Sequence, residues 1–90
     1  MVVLKSFEDL DPDEKIVLAV ICKTNNLSLK AHTSPEKILR RVRIKGRRYA
    51  KKALHILITN GFVIEHPTRG GVTLQLSKKG QIACKKLLEV

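Results

Sequence analysis

At Asn60-Gly61 the hydrophobic period of this chain changes, and the change limits what the chain can fold into. Before it, apolar residues recur three and four apart in capped segments. After it, "FVIEH" (62–66) and "VTLQLS" (72–77) alternate apolar with polar residues around "PTRGG". The first spacing buries one side of a helix, and the second buries one face of a strand. Helices followed by a hairpin make an α+β domain.

The helix boundaries are written in cap residues. Asp11 is an N-cap, Pro12 suits the first helical position, and Glu14 completes a capping box. That helix is expected to run to Thr24, where "NNLS" breaks it. Ser34-Pro35 opens a second helix, "EKILRRV", expected to stop near Gly46. The third, "RRYAKKALHILITNG", closes on Asn60-Gly61 as a C-terminal cap. Ser77 caps a last helix, "KKGQIACKKLLE", and the stretch around Leu27 and Leu29 suggests a short strand. No repeat or low-complexity tract appears, so residues 11–90 read as one domain behind an N-terminal arm, 1–10. Leu54 and Leu57 are expected to bury against Ile16, Val20, Ile38 and Leu74.

Charge narrows the function. Among 90 residues there are 18 Lys or Arg and 8 Asp or Glu, a formal net charge of +10, which suits a polyanionic partner. "RRVRIKGRRYAKK" (40–52) holds eight of those cations, and no acid occurs from Lys37 to Ile64. At about 100° per residue, Ala50, Ala53, Leu54 and Leu57 share one side of the third helix. Arg48, Lys51, Lys52 and His55 share the opposite side. Arg48 with Lys52, and Arg47 with Lys51, repel at i,i+4. An external anion is the expected counter-charge.

The glycine-containing turn "VRIKGRR" between two helices fits a helix-turn-helix, whose second helix enters the major groove while the first crosses the phosphates. The candidate nucleic-acid-binding residues are therefore Arg40, Arg41, Arg43, Lys45, Arg47, Arg48, Lys51, Lys52 and His55. Arg69, at a tip that cannot pack into the core, is expected to reach a groove or clamp a phosphate.

With these motifs in order, and with "GFVIEHPTRGGVTLQLSKKGQ" following them, the chain resembles a winged-helix domain. The hairpin and "LSKKG" resemble the MarR type of archaeal and bacterial transcriptional regulators. The resemblance implies a small winged helix-turn-helix: a three-helix core, a two-stranded wing and a closing C-terminal helix. It also implies duplex-DNA binding, with Arg47 to Asn60 as recognition helix and Phe62 to Ser77 as wing. MarR-type proteins are longer and dimerise through extra terminal helices. Residues 40–64 are also similar to the winged-helix core of a small ribosomal-subunit protein, which makes ribosomal-RNA binding the alternative.

Other classes fit poorly. His32, His55 and His66 have no placed nucleophile or acidic partner, so no enzyme is expected. No metal or cofactor is expected either. Cys22 and Cys84 stand far apart in apolar stretches without a CxxC motif. They are expected as two buried free thiols in a reducing cytosol, a disulfide being the alternative. The longest apolar run, 16–22, is too short to span a bilayer, and a cytoplasmic protein is expected. Tyr49 is expected beside the core, and an aromatic content of 3% argues against single-strand binding by stacking. Val2, Val3, Leu4, Phe7, Leu87, Leu88 and Val90 exceed what the core absorbs, so a homodimer through the termini is expected.

Overall fold

Local chemistry accounts for most element boundaries in the computed structural model of the protein, which describes residues 4–42 and 46–88. Its elements are a 3-10 turn at Phe7–Asp9, α1 (Pro12–Thr24), α2 (Pro35–Arg41), α3 (Arg47–Thr59), β1 (Val63–Thr68), β2 (Gly71–Leu76) and α4 (Lys78–Leu88). Among the described residues, four α-helices and one two-stranded antiparallel hairpin make the protein α+β.

The caps form where their residue types predict. The Asp11 backbone N–H donates to Glu14 Oε1 at 3.1 Å. Ser34 Oγ accepts from the Lys37 N–H at 3.3 Å, and Ser77 Oγ accepts from the Gly80 N–H at 3.0 Å. α3 ends in a Schellman turn: the Phe62 N–H reaches the Leu57 carbonyl at 3.0 Å and the Gly61 N–H reaches the Ile58 carbonyl at 3.1 Å. Gly61 takes the required left-handed backbone, φ 81°. α2 is shorter than expected, ending at Arg41 with Val42 extended.

The hairpin is longer and tighter than its alternation suggests. Pairing runs from Val63↔Leu76 to Thr68↔Gly71 and leaves Arg69-Gly70 as the tip. Pro67 is accommodated because β1 is an edge strand. The expected strand at Leu27 and Leu29 is not formed. A single bridge forms further on, at Thr33↔Leu74. Leu27 instead takes φ 60° after the end of α1, and its carbonyl accepts from Gln81 Nε2 at 2.9 Å.

The core joins every element. Val17, Leu18 and Ile21 of α1 meet Ile38 of α2, Leu54 and Leu57 of α3, and Phe62, Leu74 and Leu76 around the hairpin. Ile16 departs from expectation at 39% exposed. The buried stripe of α1 is Glu14, Val17, Leu18, Ile21 and Cys22, which turns Ile16 outward. Residues 16–22 are all apolar, so their pattern cannot set the helix phase. Glu14 is 3% exposed and takes its counter-charge from Lys5 Nζ at 3.1 Å.

The free thiols are also corrected: Cys22 and Cys84 form a disulfide between α1 and α4. Those helices pack side by side, with the two Cα atoms 5.7 Å apart and both side chains wholly buried. The N-terminal arm is stitched onto the domain. The Lys5 N–H donates to Asn60 Oδ1 at 2.7 Å, and Lys79 Nζ donates to the Lys5 carbonyl at 2.7 Å. Leu10 is buried and Phe7 packs against the core. The Asp9 carboxyl is held below its usual range by the Ser6 backbone N–H, 3.0 Å away.

Candidate nucleic-acid interface

α3 presents the expected two-sided helix. Ala50, Ala53, Leu54 and Leu57 are buried, while Arg48, Lys51, Lys52, His55 and Thr59 are exposed. By phase, Arg48 and His55 lie near the middle of the exposed side, with Lys51 and Lys52 to either side. Thr59 Oγ1 and His55 Nε2 lie 3.5 Å apart one turn along. The helix starts at Gly46 with no side-chain cap and no acid in its first turn. Arg47 and Arg48 therefore stand where the helix dipole favours negative charge.

The flanks differ from the middle. Arg47 is ion-paired with Glu36 of α2, an acid one residue outside the acid-free stretch. Its counter-charge is internal, contrary to expectation. On the other flank Lys52 shares a concavity of about 320 Å³ with Asp11, Asp13 and Glu14. Tyr49 belongs to the same concavity and is 54% exposed, not packed beside the core. Folding thus sets acids along both edges of the basic face and leaves its middle without them. Linear sequence could not show this, because Asp11 and Asp13 reach α3 only through the packing of α1.

The remaining candidates are dispersed. Arg40 and Arg41 are exposed on α2, where they line a concavity of about 360 Å³ with Ser34 and Lys37. Lys37 was not among the expected contacts, although its spacing from Arg40 and Arg41 (i+3, i+4) places the three on one side. Arg41 Nη1 donates to Thr24 Oγ1 at 3.3 Å. Arg69 is exposed at the hairpin tip. Arg43 and Lys45 lie outside the described residues. Beside the middle of the hairpin, where His66 pairs with Thr73, His32 and His66 meet edge to face at 5.0 Å, and His32 Nδ1 lies 3.2 Å from Thr73 Oγ1. The bridge at Thr33↔Leu74 sets these distant residues side by side.

Of the terminal apolar residues, Phe7, Leu87 and Leu88 pack against the protein's own core. Leu4 is 52% exposed, while Val2, Val3 and Val90 lie outside the described residues. No described helix is long and apolar enough to cross a membrane. Compared with protein-family models, curated proteins and solved structures, the chain matches none.

Proposed function

We propose that this protein is a duplex-DNA-binding winged helix-turn-helix of the transcription-regulator kind. In this reading α3 lies in the major groove, α2 crosses the phosphates, and the hairpin is a wing. The observation that carries it is the exposed side of α3: Arg48, Lys51, Lys52 and His55 lie together opposite four buried positions, with two arginines in a first turn that lacks any acid. A merely solvated helix gains from interspersed Glu, and this one carries none. Lys37, Arg40 and Arg41 extend the basic surface along α2, and Arg69 serves as the wing contact.

Ribosomal-RNA binding is the second reading. The exposed side of α3 offers cations and a His–Thr pair but no Asn or Gln, a set suited to phosphates more than to base edges. Mobility shifts on duplex DNA, structured RNA and single strands at matched salt separate the two. Duplex binding through roughly six phosphate contacts gives a log-log salt slope near −5. A slope near zero removes the nucleic-acid reading altogether. A clear preference for structured RNA over duplex DNA replaces the first reading with the second.

A further inference from the structure

α4 carries a second basic face, and its centre is apolar. Lys78 and Lys79 stand four and three residues before Ile82, and Lys85 and Lys86 stand three and four after it. At about 100° per residue all five fall within an arc of roughly 120° centred on Ile82. The core uses the other side of this helix, Gly80, Ala83 and Cys84, and leaves Ile82 51% exposed. Beside it lies a groove of about 410 Å³ whose apolar lining is Phe7, Phe62, Ile82 and Ala83. α1 packs against both α3 and α4, and the face described here is that of α4.

The lysines differ in how far the fold occupies them. Lys79 donates to the carbonyls of Lys5 and Asn60, at 2.7 and 2.9 Å, and is structural. Lys86 lies 3.5 Å from Glu8. Among the described residues no acid comes within ion-pairing distance of Lys78 or Lys85. Lys78 also stands in the first turn of α4, against the helix dipole. Three cations thus surround an exposed isoleucine and an apolar groove, with Glu8 beside them among the described residues.

This composition selects the occupant. Nucleic acid, read through phosphates and base edges, gains nothing from Ile82. A second copy related by a two-fold axis would set the same lysines against each other. One exposed isoleucine is too little apolar surface to seat a helix in lipid. An acidic amphipathic helix matches both features, with apolar anchors for the groove and carboxylates for the rim.

We propose that the Ile82 face of α4 docks an acidic amphipathic segment of a partner protein, independently of the basic face of α3. The test is fluorescence anisotropy of the full chain with a labelled Glu-rich peptide carrying Leu at i, i+3, i+4 and i+7, beside a peptide of the same composition with those leucines scattered. The patterned peptide is expected to bind about tenfold more tightly than the scattered one. Ile82→Ser, and separately Lys78→Ser plus Lys85→Ser, each reduce that affinity about fivefold or more. These side chains are exposed, and the lysine pair keeps the test valid if the isoleucine variant misfolds. Arg48→Ala plus Lys52→Ala leaves peptide binding within about twofold, and saturating duplex DNA does not displace the peptide. Equal binding of both peptides, loss in the α3 variant, or displacement by DNA would place the peptide elsewhere and overturn the proposal. So would self-association of the chain, or binding to anionic vesicles, that Ile82→Ser abolishes.

Discussion

Gly80 is the residue at which α4 crosses the start of the hairpin. A Cβ there would run into the Phe62 carbonyl, and the Leu76 side chain lies 3.3 Å away. Ser77, three residues earlier, donates to that same carbonyl at 3.0 Å while capping the helix. The stretch "LSKKG" therefore has a mechanical basis, a cap followed by a permitted close approach. An exposed helical Gly→Ala change ordinarily gains about 1 kcal/mol. At Gly80 the clash with backbone dominates, and Gly80→Ala is expected to cost about 1–3 kcal/mol. Urea unfolding measures it, and an unchanged or raised stability would mean that helix and hairpin can separate at no cost. Glu14 works differently. Its carboxylate occupies an otherwise apolar stripe because Lys5 and the Asp11 N–H meet it there.

Among the elements, α3 and α4 are both amphipathic and basic, yet their exposed sides differ in composition. The exposed side of α3 has acids only at its edges, whereas that of α4 has an isoleucine at its centre. Arg48→Ala plus Lys52→Ala is expected to weaken duplex binding at least about tenfold, or 1.4 kcal/mol. Lys85→Ala plus Lys86→Ala should leave it nearly unchanged. Melting temperature should not move in the α3 pair, because both side chains are exposed. Mobility shifts on the two double variants decide the matter. If the α4 pair does the greater damage, the nucleic-acid face has been assigned to the wrong helix.

At the scale of the molecule, the disulfide joins residues 62 apart in sequence and ties the closing helix to the first. A chain of 90 residues buries a modest core, so a covalent link is a large share of its stability. Loop-closure entropy for that separation is worth about 4 kcal/mol. Protein reduced and refolded in the presence of reductant is therefore expected to melt roughly 15–30 °C lower. The link lies between α1 and α4 rather than on α3, so duplex affinity measured well below the lowered melting point should not change. Scanning calorimetry with and without reductant measures the first effect, and mobility shifts the second. A shift of only a few degrees would show that packing alone holds α1 against α4.

Caps, turn residues and apolar period act over three or four residues, and for that reason they are readable in the linear chain. Asp11, Ser34 and Ser77 begin their helices where expected, Asn60-Gly61 ends α3, and the four buried positions of α3 follow from its spacing. The phase of α1 was hidden because an all-apolar run carries no periodicity, so Ile16 was expected inside and lies outside. The cysteine pairing, the acids beside Lys52 and the groove beneath Ile82 join residues from distant parts of the chain. The elements and the basic stripe follow from the order of residues alone, since local hydrogen bonds and side-chain spacing suffice for both. Which charges meet, whether the two cysteines bond and which hydrophobic residue stays exposed depend on how separate helices pack against one another, which no local pattern encodes.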